Sequence, residues 1–213
     1  MSLPPTGRLI ETDADVAEGA AWLCARDPRL AQACAETGPL PLRRRVDGFA
    51  ALLQAIVGQQ VSTASAAAIW ARVEAAGLTD PAQVLAAGEE GLRAQGFSRP
   101  KIRYALALAE ADLDYAALRQ APDAEVLRIL VAQKGIGLWT AEIYAMFALG
   151  RADVLAAGDL ALQEAARVLY GLDGRPGEAA LRAMAEPWAP WRAVAARILW
   201  AYYRVVKNRE GTL

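Results

Sequence analysis

The 213-residue sequence contains no histidine. This absence excludes Ser-His-Asp and Cys-His nucleophilic catalysis and the usual zinc sites, and it leaves any acid-base chemistry to carboxylates, lysine or tyrosine. Cysteine is nearly as scarce. Cys24 and Cys34, ten residues apart, are the whole supply. They are too few for a disulfide framework or a four-cysteine zinc or iron-sulfur site, and they read as small buried hydrophobes. An excess of positive charge is also missing: 23 Lys and Arg against 24 Asp and Glu give a net charge of −1. Binding of nucleic acid through overall basic charge is thereby excluded, so any DNA partner must be met by local positive charge. Nor are there long apolar runs. Arg, Glu, Gln or Gly interrupts each one short of the roughly 20 residues a membrane span requires, and MSLPPTGRLIETD lacks the charged-then-apolar pattern of a signal segment. These features predict a cytoplasmic protein with no membrane partner.

What the sequence does have is 55% hydrophobic side chains, enough for one compact unit or two small lobes sharing a core. Apolar residues recur at helical spacing nearly throughout, and stretches such as LRILVAQ lack the alternation and flanking turn chemistry of strands. Boundary signals agree. Thr12 precedes an Asp-rich first turn, Asp80-Pro81 reads as N-cap plus first helical residue, and Ser98 precedes the basic helix RPKIRYALALAEADL. The spacing predicts helices over residues 13–26, 46–57, 61–76, 81–87, 89–95, 99–112, 123–133, 138–149, 159–170, 177–186 and 190–206. The expected fold class is therefore all-α, a single domain with two lobes: about 50–152 in one, and about 1–49 with 153–213 in the other. LPPTG and TGPLPLRRRVDG are the expected irregular stretches, and no repeat of solenoid length occurs.

Two helical patterns, DAEVLRILVAQ and LWTAEIYAMFALG, meet at Lys134-Gly135-Ile136-Gly137, a connection short enough to require a tight turn. The glycines permit positive φ and close approach of another backbone. Backbone N–H groups opening the second helix then point outward and offer a phosphate oxygen a site without Arg or Lys. The same residues also suit an ordinary helix-helix turn with a glycine C-cap. Further on, Gly158 breaks the chain and helical spacing resumes at Leu160, which makes Asp159 an N-cap. A helix N-terminus stabilises a negative carboxylate, so such an acid suits charge stabilisation better than proton abstraction. Capping alone also accounts for it. Glu142 and Glu164, within helical runs, read as solvated faces.

In order, LLQAIVGQQVSTASAAAIWARV (52–73), GFSRPKI (96–102), GIGLWTA (135–141), DVLAAGDLALQ (153–163) and WAPWRAVAARILW (188–200) resemble the 3-methyladenine DNA glycosylase II family of the helix-hairpin-helix superfamily, over about residues 45–205. The resemblance implies a two-lobed glycosylase fold with its active site in the cleft between lobes. It also implies a base-excision repair enzyme that flips an alkylated purine of the 3-methyladenine or 7-methylguanine type from double-stranded DNA and hydrolyses its N-glycosidic bond. Asp159 falls at the superfamily's catalytic aspartate, twenty residues after Trp139. Trp139, Trp200 and Ile143 match base-pocket positions, with Tyr144 beside the last on the helix; indole faces attract a cationic purine. Gln60 is the expected plug for the hole left by the flipped base, with Gln59 beside it. Further DNA contacts are implied at Lys134, Gly135, Gly137 and Thr140 of the hairpin and at Arg99 and Lys101. Arg103 and Arg43 to Arg45 serve equally as solvated charge. Trp188 and Trp191 read mainly as packing.

Relatives that also cleave the DNA backbone carry a nucleophilic Lys where this chain has Trp139, so the resemblance implies a monofunctional enzyme; its chemistry requires no cofactor, and the expected state is a monomer. Main-chain carbonyls around Val131, Gln133 and Ile136 are the implied seat of a structural monovalent cation. Lys134 departs from the Pro common there in the superfamily, and Ile143 replaces an aromatic residue. The alternatives are a non-catalytic damaged-DNA-binding module with Asp159 only a cap, a bifunctional glycosylase/lyase using Lys134 or Lys101, and a helical adaptor.

Overall fold

A computed structural model describes residues 6–210. Most of the Pro-rich start expected to be irregular therefore lies outside the described residues. The rest is helical, and the one β-type contact among the described residues pairs Leu9 with Arg151, through Ile10 N–H to Gly150 O at 2.7 Å and Ala152 N–H to Arg8 O at 3.0 Å.

The chain divides into two compact units. The central one, Arg45–Tyr144, contains α3 (Phe49–Gly58), α4 (Thr63–Ala75), α5 (Pro81–Ala94), α6 (Arg99–Glu110), α7 (Tyr115–Gln120), α8 (Asp123–Val131) and most of α9 (Leu138–Phe147). Its core joins Leu52, Leu53, Ile56 and Val57 of α3 to Val73, Val84, Leu92, Ile102, Val126 and Leu130, and α6 packs against both α3 and α5. Each fully buried Leu or Ile contributes roughly 1.5–3 kcal/mol. Pro81 opens α5 behind its Asp80 cap, whose Oδ1 accepts from Ala82 N–H at 2.9 Å. Gly88, at φ 60° and ψ −161°, breaks α5 into two short helices, as the sequence spacing predicts.

The flanking unit is built from the chain up to Arg44 and from Ala145 onward. It holds α1 (Asp13–Cys24), α2 (Pro28–Thr37), α10 (Leu160–Tyr170), α11 (Glu178–Met184), a 3-10 turn (Glu186–Trp188) and α12 (Arg192–Glu210). The long α12 packs against α1, α2 and α10. Gly19 allows the α1 approach, since a Cβ there would lie 2.7 Å from both Trp191 Cε3 and Val194 Cγ2. Trp188 and Trp191 are both buried, as packing requires.

Several expectations need correction. Helices α2 and α7 were not predicted: α2 starts with Asp27-Pro28, the cap signal used for α5, while α7 has six residues and too few turns to show a period. The unit divisions fall at 44/45 and 144/145, ahead of those expected near 50 and 152. The end of α9 and the chain after it bond within the flanking unit, through Arg44 Nη1 to Ala148 O at 2.7 Å and Ala193 N–H to Ala152 O at 2.9 Å. Glu142 is no solvated face, being 1% exposed. The two cysteines are half-buried rather than core residues.

Candidate active-site carboxylate and DNA-binding hairpin

Between α8 and α9 the hairpin turns on Gly135, at φ 84°. Two features make glycine obligatory there. The Tyr104 ring occupies the place of a Cβ, which would meet Tyr104 Cγ at 2.4 Å, and the left-handed backbone strains any larger residue. Gln59 Nε2 donates to the Gly135 carbonyl at 2.8 Å, Ile136 N–H donates to Gln133 O at 3.1 Å, and Ile136 is buried beneath the turn. The turn is thus fixed from three sides before α9 begins. Gly137 O accepts the Ala141 N–H at 3.0 Å, so the α9 helix opens at Leu138 with its first-turn N–H groups leading, and a helix terminus of this kind attracts anions. Lys134 and Gly137 are exposed around it, and Trp139 is 47% exposed. Thr140 is only 6% exposed, so what it can offer an anion is its first-turn N–H.

Gln60 follows the end of α3 in a left-handed conformation, φ 54°, with an exposed side chain. Ser62 then caps α4 by accepting from Ser65 N–H at 3.2 Å. Gln60 therefore stands at the tip of a two-helix turn, while Gln59 faces back to the hairpin. Trp139 and Ile143 lie four apart on α9, hence on one face, and Ile143 is half-buried.

Two expected site residues are used internally. Lys101 Nζ donates to Val57 O at 2.7 Å, closing the last turn of α3 as a helix C-cap, and burial pushes its ammonium below the usual lysine range. Tyr144 is buried, and its hydroxyl accepts the Gly48 N–H at 2.8 Å, which anchors the start of α3. Burial pushes this phenol up to about 12. Its ring packs within the central unit. Arg99 and Arg103 are exposed on α6.

In the flanking unit, Asp159 caps α10. Its Oδ1 accepts from Ala161 N–H at 2.9 Å, from Leu162 N–H at 3.1 Å and from the Trp200 indole N–H at 3.2 Å. The chain leading to it, Val154 to Ala157, is buried, Gln163 Nε2 holds Ala157 O at 2.9 Å, and Asp159 N–H closes a turn onto Ala156 O at 2.9 Å. The carboxylate is fixed in position and rotation by this frame. Half-buried Trp200 is itself set by Phe147, with ring centroids 5.7 Å apart, and the Arg197 guanidinium lies 4.8 Å from the Phe147 centroid. Burial, then Arg43 and Arg44, lower the pKa of Arg197 to about 10. Phe147 and Tyr104 are supports that the sequence reading does not contain, and Gln59, expected at the DNA, also supports the hairpin. Only Phe147 had a local signal, its four-residue step from Ile143.

Among the described residues no group of three or more Asp, Glu, Cys or His could hold a metal ion, and no helix is long and apolar enough to cross a membrane. A helical hairpin with a glycine turn, followed by a capped aspartate braced by an indole, is the arrangement that the sequence resemblance implies for a helix-hairpin-helix protein. The model of the HhH-GPD superfamily of base excision DNA repair proteins matches residues 53–190, and the chain belongs to that superfamily. It is similar to the alkylbase DNA glycosidase-like protein mag2 of Schizosaccharomyces pombe, 30% identical over 136 residues, covering 62% of this chain and 63% of that protein, less than two thirds of its length. Among solved structures it is similar to a DNA-3-methyladenine glycosidase from Bacillus halodurans, with 36% identity, a TM-score of 0.81 and 94% of each chain covered. It is also similar to the S. pombe 3-methyladenine DNA glycosylase Mag1 in complex with abasic DNA, at 27% identity and a TM-score of 0.74, covering 86% of this chain and 95% of that one.

Proposed function

We propose that the protein is a monofunctional DNA glycosylase acting on alkylated purines in double-stranded DNA, as a monomer in the cytoplasm. The observation that carries this reading is the Asp159 carboxylate, held through one oxygen by two backbone N–H groups and the Trp200 indole. A purine alkylated at N3 or N7 is cationic and a good leaving group. As its bond to C1′ breaks, the bonding electron pair departs with the base and positive charge develops on the deoxyribose. A carboxylate already oriented needs no reorganisation to stabilise that charge, and water then adds at C1′ to leave an abasic site. No strong general acid is required, which accords with a chain lacking histidine.

The remaining parts have matching roles. Hairpin N–H groups near Gly137 to Thr140 grip a phosphate, Gln60 fills the gap in the stack, and Trp139 and Trp200 offer aromatic faces to the base. Trp139 at the position of the lyase nucleophile supports hydrolysis without strand cleavage. Carbonyls around Val131, Gln133 and Ile136 suit a monovalent cation: the Gln133 oxygen accepts one N–H, and a carbonyl has a second lone pair.

The test is release of 7-methylguanine and 3-methyladenine from duplex DNA by the wild type and Asp159→Asn, with alkali revealing abasic sites. Release lost in the variant while DNA binding persists supports the proposal. Binding without release by either protein favours a DNA-binding module, and a borohydride-trapped covalent adduct favours a lyase.

A further inference from the structure

Helix α1 ends at Cys24, and α2, packed against it, carries Cys34. The Cys24 thiol donates to the Cys34 sulfur at 3.1 Å. Both residues are half-buried, and they are the only cysteines in the chain. A disulfide places its sulfurs at about 2.05 Å, so bonding requires roughly 1 Å of approach. Two helices already packed together hold the thiols at this separation, and the turn between them is fixed by Asp27, which accepts from Arg29 N–H at 2.9 Å and Leu30 N–H at 3.2 Å.

We propose that Cys24 and Cys34 form an oxidisable dithiol that a hydroperoxide closes into an intramolecular disulfide. Burial, then the neighbouring Cys24, push the Cys34 thiol up to about 12, which disfavours Cys34 as the first of the pair to attack. The Cys24 sulfur attacks the hydroxyl oxygen of the hydroperoxide and becomes a sulfenic acid; the O–O bond breaks and the other oxygen takes the Cys24 proton and leaves as alcohol, or as water from hydrogen peroxide. The Cys34 sulfur then attacks the Cys24 sulfur. The sulfenic hydroxyl leaves and takes the Cys34 proton as water. Two thiols have lost two electrons and two protons, and one hydroperoxide has been reduced. Formation of a sulfenic acid at one thiol beside a second that resolves it is the pattern of a redox-responsive pair. The closed loop pins the α1–α2 turn, where Asp27 Oδ2 also receives Tyr170 Oη at 2.5 Å and Trp188 Nε1 at 3.3 Å.

The full-length reduced protein is treated with hydrogen peroxide, remaining thiols are blocked, and the chain is cut with trypsin without reductant. Cleavage after Arg26 and Arg29 separates the two cysteines, so only a disulfide keeps their peptides joined. The expected result is a monomer lighter by two hydrogens, a joined peptide pair that reductant releases, and a Tm raised by a few degrees, as loop closure predicts. Cys24→Ser and Cys34→Ser should each abolish all three changes. A disulfide-linked dimer, overoxidation of Cys24 with Cys34 still a free thiol, or an unchanged mass under peroxide that fully oxidises free cysteine overturns the proposal.

Discussion

The Trp200 indole N–H donates to the Asp159 carboxylate across 41 residues of sequence, at 3.2 Å. A hydrogen bond to a charged group is worth about 1.5–3 kcal/mol. Trp200→Phe keeps an aromatic face and removes this donor, so base release in single turnover should fall roughly ten- to hundred-fold while affinity for abasic DNA changes less than threefold, on the order expected if one charge-orienting bond is lost. Equal rates for Trp200→Phe and wild type would remove the indole from the mechanism.

Gly135 should not tolerate a methyl group. Gly135→Ala adds a Cβ that meets the Tyr104 ring at 2.4 Å on a backbone with φ 84°, and strain of this kind costs about 1–3 kcal/mol. Tm should drop and DNA affinity should weaken together. Adding Tyr104→Ala removes the ring from the clash but leaves its Cβ 2.9 Å away and the backbone strain in place, so the double variant should recover only part of the lost Tm. Thermal melts and fluorescence anisotropy on duplex DNA decide the matter.

Adjacent glutamines should separate in kinetics. Gln59 holds the hairpin carbonyl at 2.8 Å, whereas Gln60 is exposed at the turn tip. Gln59→Ala loses a net bond of about 1 kcal/mol and should raise Kd about fivefold with little change in the single-turnover rate. Gln60→Ala should slow that rate and leave Kd for undamaged DNA intact. The reverse pattern would contradict both assignments.

The α1 cap gives a pH signature. Thr12 Oγ1 accepts Asp15 N–H, and Asp15 Oδ2 accepts the Thr12 hydroxyl and the N–H groups of Thr12 and Glu11. The Thr12 hydroxyl, then the Glu11 and Thr12 N–H groups, hold the Asp15 carboxyl below its ordinary 3.8. A depressed folded-state value means that Asp15 stabilises the fold above pH 3.8 and loses that contribution as pH falls through the lower folded value. Thr12→Ala should cost about 1 kcal/mol near neutrality, or roughly 2–4 °C in Tm. The difference from wild type should shrink below about pH 4; a gap independent of pH would assign the loss to Thr12 alone.

Much of the helical layout was legible because its signals are local. Asp80-Pro81, the Gly88 break and the glycine hairpin each act over a few residues. The same cap signal stands at Asp27-Pro28, at the start of α2, and six-residue α7 has no period to read. At the site, the cap role of Asp159 was visible from Gly158 and Leu160, but its indole partner lies a whole helix away. Lys101 and Tyr144 have internal roles hidden for the same physical reason: each polar tip meets a backbone group distant in sequence, Val57 O and Gly48 N–H. Residue type cannot disclose such a partner. Glu142 looked solvated because one charged letter in a helical run carries no information about what packs over it.

Asp159 caps a helix with the same side chain that is proposed to face the sugar. Most substitutions there would therefore silence the enzyme and also remove a cap worth about 1 kcal/mol, enough to alter cellular abundance several-fold through proteolysis of the unfolded chain. An inert repair protein that still clung to lesions would shield them from other enzymes. Joining the two duties in one carboxylate makes such an obstructive variant short-lived, and it singles out Asn, which keeps a capping oxygen, as the substitution by which a long-lived decoy would arise.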